Sequence, residues 1–324
     1  MSVVVDEILA SIAPQLIEFE RRLEASVTGD TGQMAEAMEH IVRAGGKRLR
    51  PALVLLSAGL GDPDPDHAFN LAMGIEFIHT ATLVHDDLID NAHTRRGIST
   101  VHETVGTNPA IIIGDYYFAK GANLLASIGE PAIDLAISNT VMTICMGELL
   151  QLTSQRDYDQ SLEEYHRKIA RKTAALVETC CYCGAIVAQL DEARTEALRE
   201  FGFLVGMAFQ IADDVLDYTS TALQMGKPVG ADLRQGTVTL PLMLALARSG
   251  TGPALREVLA RDPMTDADYD EVVHLVRGSG AIEAAETQAY DFVVRARAQL
   301  DVFEASAART TLERMCEYVV NRTS

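Results

Sequence analysis

The residues best suited to chemistry in this chain are carboxylates. Asp86-Asp87-Leu88-Ile89-Asp90 closes an apolar run from Phe77 to Val84, and Asp213-Asp214-Val215-Leu216-Asp217 closes another from Phe203 to Ala212. Both runs have helical periodicity, so the first and last Asp of each motif, four residues apart, share a helix face. Like charges at that spacing repel. A hard divalent cation reverses the sign, because Mg²⁺ takes carboxylate oxygens and keeps positions open for phosphate oxygens. One such motif is compatible with a solvated acidic helix end, but its recurrence on a second apolar helix is not. Two such helices facing each other would form acidic walls around a cavity suited to metal ions and a diphosphate.

Cationic side chains stand where such an anion needs them. In Gly45-Gly46-Lys47-Arg48-Leu49-Arg50-Pro51 the glycines let backbone approach an anion, and Lys47 and Arg50 point the same way on a helical turn. Cations opening an apolar helix run against its dipole, which points to an anionic ligand. His79 lies about two turns before Asp86 on nearly the same face, whereas His85 points elsewhere and reads as structural. Arg95 and Arg96, adjacent on a loop from Asn91 to Gly97, can face two different anions. Lys172-Thr173 lies in a helix from Leu162 to Leu190, and alone would be a surface pair. Gln210 shares a face with Asp213 and can donate to a phosphate oxygen or a metal-bound water. Lys227, in Gly226-Lys227-Pro228, can close over a site. Asp115 and Glu148 sit inside deeply apolar helices, where an acid needs a partner.

The elements that must hold these residues are helical nearly throughout. Pro and Gly cluster at breaks, and convincing strands and linkers are missing. The expected fold is all-α: one large helical bundle over residues 1–324, with its site in a central cavity between helices. The 324 residues are 48% apolar, enough for a large core, and the net charge of −19 excludes a basic nucleic-acid surface. No signal peptide and no uninterrupted apolar run of the length of a membrane span are visible, so the expected location is cytoplasmic. Five cysteines argue against a disulfide framework, and the lone Cys180-x-x-Cys183 reads as core packing.

Taken together, these residues resemble the trans-prenyltransferases, the polyprenyl diphosphate synthases. The marks run in that family's order from about residue 40 to 245: Gly45 to Pro51, His79, 86–90, Arg95-Arg96, Lys172-Thr173, Gln210 with 213–217, and Gly226-Lys227. The resemblance implies a condensation of isopentenyl diphosphate with an allylic diphosphate. It implies about three Mg²⁺ ions per site, held by Asp86, Asp90, Asp213 and Asp217. Lys172, Thr173, Gln210 and Lys227 would be catalytic and, with Arg95, would hold the allylic diphosphate. Lys47, Arg50, His79 and Arg96 would hold isopentenyl diphosphate. It further implies that the departing diphosphate removes the proton, and that the protein is a homodimer. A second Gly-Lys frequent in the family reads Gln235-Gly236-Thr237 here, which puts one secondary phosphate contact in doubt. Ala81 and Thr82, about one turn before Asp86, are small, so the product is expected to be geranylgeranyl or longer, with Phe77, Tyr116, Tyr117 or Phe118 as a deeper floor.

Two other functions compete. A class I terpene cyclase shares the bundle and the first Asp motif, but would not need Lys47, Arg50 and His79. A partner-dependent subunit of a heteromeric synthase tends to lose its Asp motifs, and this chain keeps both. Replacing Asp86 or Asp213 by Ala is expected to abolish turnover while leaving circular dichroism unchanged; near-normal rates in either variant would overturn the metal assignment.

Overall fold

The structure is a computed structural model that describes residues 7–27, 48–95, 97–220 and 229–321. Its helices, in chain order, begin with α1 Ala13–Val27, α2 Leu49–Ala58, α3 Pro65–Ile89, α4 Val101–Val105, α5 Thr107–Ala126 and α6 Pro131–Thr153. There follow α7 Leu162–Ile169, α8 Ala175–Val187, α9 Glu192–Thr219, α10 Ala231–Arg234, α11 Leu240–Leu246, α12 Gly252–Leu259, α13 Asp266–Gly278, α14 Ala281–Gln299 and α15 Ala307–Asn321. The all-α expectation holds. One local difference is an antiparallel hairpin, β1 Thr94–Arg95 with β2 Ile98–Ser99, where the sequence pointed to an open loop. Gly97, at φ +79°, supplies the left-handed turn residue.

The chain groups into two compact units, each discontinuous in sequence. The first comprises Met1–Ser138, Thr179–Arg199 and Val302–Arg314; the second comprises Asn139–Glu178, Glu200–Asp301 and Met315–Ser324. In the first unit α3 packs along α5 and against α2. Asp64 caps α3 by accepting the Asp66 and His67 amides, and Pro65 occupies the first turn. That start lies well before the apolar run that begins at Phe77, because the cap rather than the core sets it. Cys180, Cys181 and Cys183 are buried, as core packing requires, while Cys145 is exposed.

Arg48 ties three helices of this unit together. Its backbone is left-handed at φ 49°, and its guanidinium donates to both oxygens of Glu20 in α1 at 2.5 and 3.1 Å and to Glu76 in α3 at 2.7 Å. In the second unit the core joins Tyr165, Met207, Ile211, Val215 and Tyr218 to Leu240, Leu255, Val272 and Ala285.

Of the cations in the 45–51 motif, Arg48 is therefore structural. Arg48→Met would strand Glu76 as a buried, unpaired carboxylate. The expected cost is about 3 kcal/mol in stability, read from the shift of the denaturant midpoint.

Candidate active site

In the first unit the acidic motif lies at the C-terminal end of α3, a helix of 25 residues with no basic residue in its last turn. A helix C-terminus carries partial negative charge, so Asp86 and Asp90 stand where a carboxylate is least favourable without a cation. Asp86 is half-buried and Asp90 exposed, on one face. Asp87 points the other way and is buried. Arg95 answers it from β1, with Nε and Nη2 each 2.8 Å from the same Asp87 oxygen. Burial raises the Asp87 pKa, and the Arg95 charge opposes the shift. His85 crosses to α5, its ring against Gly114 and its Nε2 3.2 Å from the Ile111 carbonyl, which fits the structural role expected of it.

The other expected ligands of this unit divide. Arg50 has a buried Nε with no hydrogen-bond partner among the described residues, and burial lowers its pKa despite the nearby Glu76. A desolvated guanidinium donor left open in this way fits an anion. His79 is half-buried, and its carbonyl accepts from the Thr82 hydroxyl at 2.8 Å. Thr82 lies on the Asp86 face, whereas Ala81 is fully buried and turned away from it. Phe77 lies about half a turn round from Asp86, buried against Tyr117 with ring centroids 5.7 Å apart. Lys47, Arg96 and Lys227 fall outside the described residues.

In the second unit the expected continuous helix from Leu162 to Leu190 is divided by a π turn over Ala170–Ala174, which carries Lys172 and Thr173. Two glycines explain the close packing there. A Cβ on Gly147 would come within 2.7 Å of the Lys172 backbone nitrogen, and one on Gly206 within 2.5 Å of the Ala174 Cα. A π turn inside a helix often marks a functional position. The partner that Glu148 needs is Lys172, whose Nζ lies 2.7 and 2.9 Å from its two oxygens.

Thr173 donates to Gln210 Oε1 at 2.6 Å, and Gln210 Nε2 donates to Asp214 at 2.8 Å. The Tyr165 hydroxyl donates to the other Asp214 oxygen at 2.7 Å. Gln210, expected to serve a phosphate or a metal-bound water, thus has its amide oriented by Asp214. Burial and the charge of Asp232 push the Asp214 pKa up to about 7, and the bonds from Tyr165 and Gln210 hold it down. Lys168 is buried as well, with Nζ 3.3 Å from the Val238 carbonyl and 3.4 Å from Gln160 Oε1. Asp213 is half-buried. Asp217, expected to ligate metal beside it, is buried, and its two oxygens accept the Ala231 and Asp232 amides at 3.2 Å each. It caps α10 because that turn's first amides have no helical acceptor.

Among the described residues no three His, Cys, Asp or Glu side chains form a ready-made metal cluster. One or two carboxylates with phosphate oxygens and water completing the shell is the ordinary Mg²⁺ arrangement, which Asp86 with Asp90 fits in the first unit and Asp213 fits by itself in the second.

Comparison with known proteins gives this constellation its class. Residues 31–276 match the polyprenyl synthetase family, to which the chain belongs; it is a prenyltransferase. It is 38% identical over 305 residues to heptaprenyl diphosphate synthase component 2 of Bacillus subtilis (strain 168), covering 94% of this chain and 86% of that one. It is 36% identical to the chloroplastic solanesyl diphosphate synthase 1 of Arabidopsis thaliana, covering 96% and 77% of the two chains. Among solved structures, a polyprenyl synthase from Caulobacter crescentus CB15 complexed with calcium and isoprenyl diphosphate superposes with a TM-score of 0.93. The two are 36% identical, over 99% of this chain and 98% of that one.

Gly147→Ala is expected to force the 170–174 turn outward, because the added Cβ meets backbone and not a movable side-chain tip. A stability loss of about 1–3 kcal/mol, with a fall in turnover measured on the fraction that remains folded, would bear this out.

Proposed function

We propose that the chain condenses isopentenyl diphosphate with an allylic diphosphate, by Mg²⁺-dependent ionisation, condensation and elimination, to give a trans-polyprenyl diphosphate of geranylgeranyl length or longer. The observation that carries this reading is the paired acidic motifs, each ending an apolar helix with its first Asp accessible. Asp86, Asp90 and Asp213 would hold Mg²⁺, which when bound neutralises charge developing on the diphosphate leaving group. Asp217 is left out of this set because both its oxygens already cap α10.

The chain's own residues bind and orient. Arg50 and His79, with Lys47 and Arg96, receive the isopentenyl diphosphate. The family resemblance gives the allylic diphosphate to Arg95, Lys172, Thr173, Gln210 and Lys227. The allylic cation formed on ionisation would have to be kept from water. For product length, Thr82 is the better stop position, since it shares the Asp86 face while Ala81 and Phe77 are turned away and buried. The names of the heptaprenyl and solanesyl relatives support a long product.

Homodimer formation has its own support. Along α6 the exposed side chains include Leu135, Met142, Met146 and Leu149, which are 64%, 58%, 52% and 62% exposed. Asp134 and Glu148 are the only charged residues of that helix. By length and composition α6 could cross a membrane, but a charge-free stripe on a chain of net charge −19 also suits a second copy, which would meet repulsion elsewhere. Sedimentation is expected to give two copies per particle, and Met142→Glu to give one. A monomer that is inactive alone would favour the heteromeric reading that the component 2 relative brings.

Incubation with Mg²⁺, labelled isopentenyl diphosphate and dimethylallyl, geranyl, farnesyl or geranylgeranyl diphosphate is expected to yield a ladder ending at one length. Thr82→Phe is expected to shorten it, whereas Ala81→Phe chiefly costs stability. A cyclic hydrocarbon formed from a primer alone would overturn the assignment.

A further inference from the structure

We propose that Glu148 is a positioning residue that aims the Lys172 ammonium at the allylic diphosphate. This rests on the reading of Lys172 as a diphosphate ligand. An ammonium has three N–H donors. With Nζ 2.7 and 2.9 Å from the two Glu148 oxygens, two donors are engaged and the direction of the third follows from them. A lysine without such a hold spreads over many rotamers, and the cost of ordering it then falls on the reaction step.

The pair is built on fixed backbone. Gly147 brings α6 against the Lys172 amide, so that the next residue, Glu148, lies beside the π turn, and Gly206 closes on Ala174 at the other side of that turn. The Glu148 and Lys172 side chains are only 17% and 27% exposed, so their attraction is poorly screened and the geometry persists. Glu148 is also the sole charge on α6 after Asp134. An acid in that apolar sequence is costly unless its partner is supplied, and Lys172 is that partner. The charge at this position is thereby tied to Lys172.

The charge has a second effect. A carboxylate beside the ammonium weakens its pull on a bound diphosphate while keeping it aimed. Removing the charge should hold the substrate at least as tightly but turn it over more slowly, because orientation matters most in the transition state. A merely structural residue would not give that split.

The test is a double-mutant cycle with Glu148→Gln, Lys172→Ala and the pair, supported by Glu148→Asp and melting temperatures. Expected is a loss of about tenfold in kcat for Glu148→Gln, with KM for the allylic diphosphate unchanged or lower. Partial rescue by Glu148→Asp, and less than about a twofold further effect of Glu148→Gln in the Lys172→Ala background, complete the expectation. An equal effect in both backgrounds, an unchanged kcat, or a raised KM together with a lowered melting temperature would overturn the proposal. The same cycle read by calorimetry with inorganic diphosphate and Mg²⁺ needs no turnover. If the unaltered protein elongates no primer, the prenyltransfer reading fails, while the calorimetric cycle still decides whether Glu148 acts through Lys172.

Discussion

Carboxylates at the negative end of a helix are the constraint on which the rest depends. In α3 the dipole and the like charges of Asp86 and Asp90 act in the same unfavourable direction, with no basic residue in the last turn to relieve them. Such an arrangement persists only when the remainder of the helix is held firmly. The long apolar packing of α3 on α5, the Asp64 cap and the Arg48 clamp on Glu76 provide that hold. The stability lies in the body of the helix and the chemistry at its tip, a division expected where a functional site is locally strained.

The two acidic motifs share a construction beyond their spacing. In each, the second Asp turns inward and is buried against donors from its own unit. Arg95 fills this role for Asp87, and Gln210 with Tyr165 for Asp214. The inward carboxylate fixes the helix rotation, which in turn fixes where the outward one stands. The motifs differ at their last position, for Asp90 is exposed while Asp217 caps α10. The second motif therefore offers fewer accessible oxygens than its sequence implies.

What could be read in the sequence was whatever repeats at helical period or depends on short spacing. The all-α class and the shared face of Asp86 and Asp90 follow from such local patterns. Lys172 with Glu148, Arg48 with Glu20 and Glu76, and Asp214 with Tyr165 span 24, 28 and 49 residues, respectively. No periodicity reports which helices meet at that range. The π turn was hidden for a related reason. Its residues are ordinary helix formers, and the signal lay in Gly147 and Gly206, distant in sequence from the turn they adjoin. Glu148 was visible as an acid in need of a partner, but the partner was not.

The π turn also sets the phase of the segment it interrupts. A wider turn accommodates one more residue than an α-helix would over the same rise, so Ala175–Val187 is rotated by about 100° relative to a continuous helix begun at Leu162. Deleting one residue between Ala170 and Ala174 would restore an ordinary α turn and keep Ala175–Val187 in its present phase, with Cys180, Cys181 and Cys183 still buried, while removing the wide turn that carries Lys172 and Thr173. The extra residue therefore serves the turn that presents Lys172 and Thr173, and not the packing of the segment that follows.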